Sequence, residues 1–314
     1  AGSEYTDWAY IDAETAMPIV ESFRTATRTS NSLTLSWNKN STTDGYIVEQ
    51  YKGGKWLRIA KTSSASAVDI TVKSLSAGTS YRFRIKVYKG SKSGNYVYLC
   101  ADTLPTVVSG FKRSDRSSST VTLNWNRNTS ATGYVIQRYK NEKWTDVTVI
   151  RNKSVTSYKV SGLAASTTHK FRICAYKTTD NTTSYSGYKN ITANTLPGNV
   201  SGFTCSGKTS NTITLKWDKN TSASGYIIEQ YTNGKWVRLT KLTSADKVSC
   251  SIVKLSAGTS YKFRIKTYKF FGKNALYSGY STVTALTTPK NIGGLKYTKR
   301  TDSTVTLNWN KNSA

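Results

Sequence analysis

Several residue types are scarce in this chain, and each scarcity closes off a class of chemistry. Acid is scarce: 17 Asp and Glu stand against 45 Lys and Arg in 314 residues, a net charge of +28. Glycoside hydrolysis needs two carboxyl groups across one cleft. Here the recurrent acids, Glu49 and Glu229, come singly on strand-like segments, and Gln137 takes the matching place between them. Histidine occurs once, as His169, and no Ser-His-Asp, Cys-His or H-E-x-x-H constellation can be built around it. The four cysteines, Cys100, Cys174, Cys205 and Cys250, form no C-x-x-C pair and no metal-ligand spacing. They are expected as free, partly buried thiols rather than as a Cys205–Cys250 bridge. Clustered aspartates for calcium, a Gly-rich phosphate loop and an Arg-Gly-Asp tripeptide are all missing, so no catalytic residue, metal or cofactor is expected. Apolar runs are short, and none reaches the 18 residues of a spanning helix. The first residue is Ala1, with no basic-then-apolar leader; any secretion signal is expected to have been removed or to lie outside this piece.

What is abundant points to strands. Tyrosine reaches 21 and proline only 4, and Thr and Ser are frequent, a composition suited to β-structure. The chain also repeats itself. Trp37, Trp125, Trp217 and Trp309, each following a Leu-x pair, are 88, 92 and 92 residues apart. Trp56, Trp144 and Trp236 keep the same spacing, and Pro18, Pro105, Pro197 and Pro289 follow at 87, 92 and 92. Three markers with one period define a repeat.

Inside a repeat the hydrophobic period is two. Ile213, Leu215 and Trp217 alternate with Thr212, Thr214 and Lys216, the pattern of a half-buried strand. Strands are expected at 202–205, 226–231, 235–239, 248–252 and 261–265, with a closing strand over 277–286 and a hairpin turn at Thr232-Asn-Gly234. Seven short strands in about 90 residues suggest an immunoglobulin-like sandwich.

These residues resemble a fibronectin type III domain, especially those of bacterial secreted proteins. The second-strand tryptophan matches Trp37, Trp125, Trp217 and Trp309. The Leu-to-Tyr-x-Phe-Arg-Ile run matches Leu75 to Ile85 and Leu255 to Ile265. The resemblance implies an all-β tandem array of sandwiches. It also implies a corner tyrosine hydrogen-bonded back to its loop at Tyr81 and Tyr261, with His169 standing in that place in the second repeat. Its boundaries divide the chain into 1–18, the last strand of a preceding repeat; 19–105, 106–197 and 198–289, three full repeats; and 290–314, the first two strands of a further one. Short linkers with proline favour a semi-rigid rod.

The end pieces admit two readings, a window cut from a longer array or strands donated between copies of the chain. Residues 1–18 carry Glu4, Asp7, Asp12 and Glu14 and no base, a local charge of −4 against +32 on the remainder. Tyr5, Trp8, Tyr10 and Ile11 make this piece a candidate intersubunit strand. The candidate contact face lies on the sixth strand, where Tyr81, Phe83 and Ile85 are expected to point inward. Arg84, Lys86 and Tyr88 then point outward, with Arg172 and Tyr176, and Arg264, Lys266 and Tyr268, in the matching places. It reads either as a solvated face held by cation–π and Glu–Arg pairs, or as a surface for anionic glycan, wall polymer or another rod. As exposed charges, its arginines are expected to tolerate replacement by Ser without loss of folding.

Trp56, Trp144 and Trp236 are expected as sheet-edge cover or as sugar platforms. The sequons Asn40-Ser-Thr42 and Asn220-Thr-Ser222 matter only where the glycosylation machinery exists. Specific nucleic-acid binding is not expected, because no recognised module is present. The functional expectation is a non-catalytic extracellular or cell-surface structural or adhesive rod, including a filament or surface-fibre subunit meeting copies of itself end to end; the alternatives are a glycan- or anionic-polymer-binding array, or the accessory region of a larger secreted polysaccharide-degrading enzyme.

Overall fold

The computed structural model describes residues 15–180 and 182–312, and among them all regular structure is β. The first repeat comprises β1 (Arg24–Arg28), β2 (Leu33–Ser36), β3 (Gly45–Lys52), β4 (Lys55–Lys61), β5 (Asp69–Val72), β6 (Ser80–Lys89), β7 (Lys92–Ser93) and β8 (Val97–Asp102). The second comprises β9 (Lys112–Arg116), β10 (Val121–Asn124), β11 (Gly133–Lys140), β12 (Lys143–Ile150), β13 (Ser157–Val160), β14 (Thr168–Thr179), β15 (Thr182–Tyr185) and β16 (Lys189–Asn194). The third comprises β17 (Thr204–Lys208), β18 (Thr212–Lys216), β19 (Gly225–Thr232), β20 (Lys235–Leu242), β21 (Ser249–Val253), β22 (Ser260–Phe271), β23 (Asn274–Tyr277) and β24 (Ser281–Leu286). A hairpin of β25 (Lys296–Arg300) and β26 (Val305–Asn308) follows.

Each repeat has the same two antiparallel sheets. One has three strands, in the order β1-β2-β5 in the first repeat; the other has five, ordered β4-β3-β6 with β7 and β8 both paired to β6. The described chain divides into two compact units: residues up to 111 with 125–156 and 172–190, and 112–124 with 157–171 and 191 onward. In the first repeat the period-two residues Leu33, Leu35, Val48, Phe83, Ile85 and Val87 belong to the core, and the third repeat's core uses the same positions except that of Val87, where the buried Thr267 stands. The β3–β4 hairpin closes with two residues at positive φ, Gly53 and Gly54; Asn141 and Glu142, and Asn233 and Gly234, do the same. Two left-handed residues in succession match the twist of the flanking strands.

The closing segment differs from expectation. Residues 277–286 are not one strand: β23 ends at Tyr277 and β24 begins at Ser281, because Ser278 interrupts the ladder. Its N–H donates to the Thr267 carbonyl (3.1 Å), while its Oγ accepts the Thr267 N–H (3.0 Å) and donates to the Gly279 carbonyl (2.7 Å). Ser186 makes the equivalent pair with Ala175, at 2.9 Å both ways. A hydroxyl occupying a backbone position breaks the pairing and bends the strand. The sixth strand of the third repeat is correspondingly longer than the expected 261–265, running over Ser260–Phe271.

The tryptophans pack as the alternation requires. Trp37, Trp125 and Trp217 are buried, and each lies against a fully buried tyrosine, Tyr46, Tyr134 or Tyr226, with ring centroids 5.1, 5.3 and 5.3 Å apart. Such tilted and edge-on contacts add to the burial energy. The corner tyrosines are present: the Ser76 and Ser256 N–H groups donate to Tyr81 Oη (2.7 Å) and Tyr261 Oη (2.8 Å). His169 replaces that ring in kind, 6.1 Å from Phe171, where Tyr81–Phe83 and Tyr261–Phe263 are 6.4 and 6.3 Å.

All four cysteines are free; Cys174 is buried and Cys205 and Cys250 are half-buried. Cys100 departs from expectation in being exposed, because on β8 it alternates with the inward Leu99 and Ala101 and pairs with Arg82 on the outer face. On the β25–β26 hairpin Val305, Leu307 and Trp309 are exposed, Trp309 at 58%. Tyr5, Trp8, Tyr10 and Ile11 lie outside the described residues.

Trp125→Ala removes a buried indole and its ring contact. It is expected to cost about 3–5 kcal/mol and to melt the second repeat while sparing the third, as resolved by hydrogen exchange. A loss below about 1 kcal/mol would refute this packing.

Candidate contact face

The outer face of each five-stranded sheet carries one arginine held between two aromatic rings. In the first repeat the Arg84 guanidinium lies 4.5 Å from the Trp56 ring centroid and 3.8 Å from that of Tyr96. Arg172 sits 4.4 Å from Trp144 and 3.8 Å from Tyr188, and Arg264 4.4 Å from Trp236 and 3.8 Å from Tyr280. The tryptophans are braced in turn by Tyr51, Tyr139 and Tyr231, at 5.2, 5.3 and 5.2 Å. Their position is thus that of cover for the arginine rather than of free platforms.

A side chain on the neighbouring strand fixes each guanidinium in its plane. Arg84 Nε donates to Glu49 Oε2 (2.6 Å), Arg264 Nε to Glu229 Oε2 (2.5 Å), and Arg172 Nε to Gln137 Oε1 (2.6 Å). Glu49 and Arg84 are cross-strand partners, and so are Glu229 and Arg264. The register between the third and fourth strands shifts at the same place in every repeat, between Val48 and Glu49, Ile136 and Gln137, and Ile228 and Glu229. Such a bulge re-aims the side chain that follows it.

These contacts correct the reading of the arginines as exposed charges. The side chains of Arg84 and Glu49 are 19% and 14% exposed, because the rings cover both faces of the guanidinium and the carboxylate covers its edge. Tyr176 and Tyr268 are likewise not surface residues, at 7% and 1% exposure. Their place opposite a strand-start glycine explains this. Tyr268 pairs with Gly225, and a Cβ on Gly225 would lie 2.9 Å from the Tyr268 Oη. Glycine leaves a gap, and the ring folds into it. Tyr88 occupies the same place, half-buried, its Oη donating to the Thr62 carbonyl (2.7 Å). Lys86 and Lys266 stay at the surface, their ammonium groups 4.7 Å from the Tyr96 and Tyr280 centroids.

The sequons are structural pieces of the loop after the second strand. The Asn220 side-chain amide donates to the Gly198 carbonyl (3.0 Å), and its oxygen accepts from the Ser222 N–H (3.1 Å) and Oγ (2.7 Å). In Asn40 the oxygen accepts the same pair from Thr42. Sequence reasoning named the face and gave Glu–Arg and cation–π pairs as one of its two readings, but missed Trp56, Trp144, Trp236 and Gln137 as partners of the arginines; the tryptophans' recurrence at one period was the available signal.

The fold and this face define an all-β tandem array of eight-stranded sandwiches. The family model for the fibronectin type III domain matches residues 19–97, 106–187 and 198–284. The chain belongs to the fibronectin type III family. It is similar to Exoglucanase B of Cellulomonas fimi, 25% identical over 66% of this chain and 20% of the relative. It is also similar to Chitinase A1 of Niallia circulans, 27% identical over 70% of this chain and 30% of the relative. Receptor-type tyrosine-protein phosphatase H of Homo sapiens is 25% identical over 95% of this chain and 26% of the relative. The chain thus spans less than a third of the length of these proteins. Among solved structures, a two-domain fibronectin type III segment of chicken tenascin matches 58% of this chain and 99% of the segment, at 22% identity and a TM-score of 0.41.

Arg264→Ser should lower the stability of the third repeat by about 1–3 kcal/mol, since it removes a charge-assisted hydrogen bond and two ring contacts together. Arg264→Lys should recover only part of this, because an ammonium cannot fill the slot as a planar guanidinium does. Urea midpoints for the wild type and both variants test this; equal midpoints would return the arginine to the solvated class.

Proposed function

We propose that the chain is a non-catalytic structural and adhesive array of an extracellular protein. The observation that carries this reading is the threefold recurrence of a self-paired face. In each repeat the arginine is committed to its own rings and to its own Glu or Gln, so it holds the sheet together instead of acting on a substrate. The lysines around it and the net charge of +28 suit a weak, salt-sensitive grip on anionic glycan or wall polymer. A second reading, the accessory region of a larger secreted polysaccharide-degrading enzyme, is favoured by the similarity to an exoglucanase and a chitinase.

Two measurements test these readings. Single-molecule stretching should show three separate unfolding events, each releasing roughly 300 Å of chain for about 90 residues; one concerted event would overturn the array. Retention on an anionic polymer should fall away with salt. Retention on insoluble cellulose or chitin that survives high salt would move the conclusion to the second reading.

A further inference from the structure

The second repeat breaks the pattern of the other two at one spot, and the breaks coincide in space. In the first and third repeats several tyrosines of the outer face are covered by a lysine. Lys61 Nζ lies 4.3 Å over Tyr88, and Lys241 Nζ 4.7 Å over Tyr268. Lys86 lies 4.7 Å from Tyr96, and Lys266 4.7 Å from both Tyr277 and Tyr280. The second repeat has rings at the same places, Tyr176 and Tyr188 as in both other repeats and Tyr185 as Tyr277 in the third (the first has Ser93 there), but not the lysines. Val149 stands where Lys61 and Lys241 stand, since it pairs with Val135 as they pair with Ile47 and Ile227. Cys174 stands in place of Lys86 and Lys266, two residues after the stacked arginine.

A third change reverses a charge. Asp146 pairs with Gln137 where Arg58 pairs with Glu49 and Arg238 with Glu229. The Gln137 amide donates to Asp146 Oδ1 at 2.7 Å, which holds the carboxylate on this face. Where long cationic side chains are replaced by short ones, space is left. A cavity of about 580 Å³ opens between Val135, Val149, Tyr176, Tyr185 and Tyr188, with Asp146 and Arg151 on its lining. Its size lies in the range of small-ligand sites. Tyr185 is 53% exposed, so the cavity is reached from solvent.

We propose that this cavity is a binding site for an alkylammonium group of the lysine type, supplied in trans to take the place of the lysines that the other two repeats supply in cis. Ring faces carry negative potential and attract cations. The fold displays that interaction at the places of Tyr176 and Tyr188 in both sister repeats, and at the place of Tyr185 in the third. The aliphatic stem of the ligand would lie along Val135 and Val149, as a lysine stem covers apolar surface. Asp146 supplies the opposite charge, held by Gln137, whereas the carboxylates of this face in the sister repeats, Glu49 and Glu229, are paired with the stacked arginines. Arg151 is the cation on the lining, and it opposes this ligand.

The experiment uses the full chain with tyrosine rings labelled for NMR, titrated with Nα-acetyl-lysine methylamide and with its uncharged counterpart Nα-acetyl-norleucine methylamide. The charged probe should shift the Tyr176, Tyr185 and Tyr188 signals saturably, and the uncharged one should bind at least about fivefold more weakly, as expected for desolvated cation–π contacts. A parallel titration with cadaverine separates the sources: a preference for the acetylated probe points to a polypeptide lysine, a preference for the diamine to a free polyamine. Val149→Lys installs the residue that the sister repeats tolerate. It should fill the cage from within and weaken the probe about tenfold, or about 1.4 kcal/mol. Asp146→Asn should weaken it severalfold, and Arg151→Ser should tighten it. No saturable shift at tens of millimolar probe, equal binding of norleucine, or unchanged binding in Val149→Lys would each overturn the proposal. Loss in Arg151→Ser with none in Asp146→Asn would do the same and mark the site as anion-binding.

Discussion

In every repeat one buried phenol ties together parts of the chain that are far apart in sequence. Tyr226 Oη accepts the Asn220 N–H at 2.9 Å and donates to the Ala245 carbonyl at 3.0 Å, while its ring leans on Trp217. Tyr46 and Tyr134 do the same with Asn40 and Ala65, and with Asn128 and Lys153. One side chain thereby fixes the loop after the second strand, the loop after the fourth and the tryptophan at the centre. A buried hydroxyl is tolerated only with partners, so once the ring is placed the two loops are constrained to meet it. The remaining strands then settle around a preset tryptophan–tyrosine unit.

The opposite face of the same sheet works by electrostatics rather than burial. Arginine between two rings, fixed at its edge by an acid or an amide, turns a potentially repulsive basic surface into a set of internally paired units. This is how a chain of such high positive charge can carry an arginine at the middle of every five-stranded sheet. The second repeat shows that the arrangement has separable parts. Its arginine keeps both rings with an uncharged Gln137 at the edge, whereas the peripheral lysines have given way to Val149 and Cys174. Stability therefore resides in the stack, and the periphery is free to diverge.

Much of this was legible before any coordinates. The period of Trp37, Trp125 and Trp217, together with the alternation along each strand, was sufficient for the order and approximate places of the strands, for the inward face and for the tandem sandwich, while the strand expected at 202–205 lies at Thr204–Lys208. The corner tyrosines Tyr81 and Tyr261 were what the resemblance to the fibronectin type III domain implied. Residues 277–286 were legible only as β, because a serine that replaces a backbone ladder bond looks from the sequence like any other strand serine. The arginines were read as exposed for a related reason: alternation gives the side of the sheet on which a residue lies, not what covers it there.

Local pattern alone determined the fold class, the repeat and which residues form each core, since those depend on hydrophobic period and turn chemistry along a few consecutive positions. Tertiary structure decided how the outer face is used. The partners of Arg84 are Glu49, Trp56 and Tyr96, set on other strands and brought together by register and by a bulge that no local pattern marks. The cavity of the second repeat is likewise lined by Val149 and Asp146, two unremarkable residues of β12. Their joint meaning exists only once the sheet places them beside the tyrosines that lysines cover elsewhere.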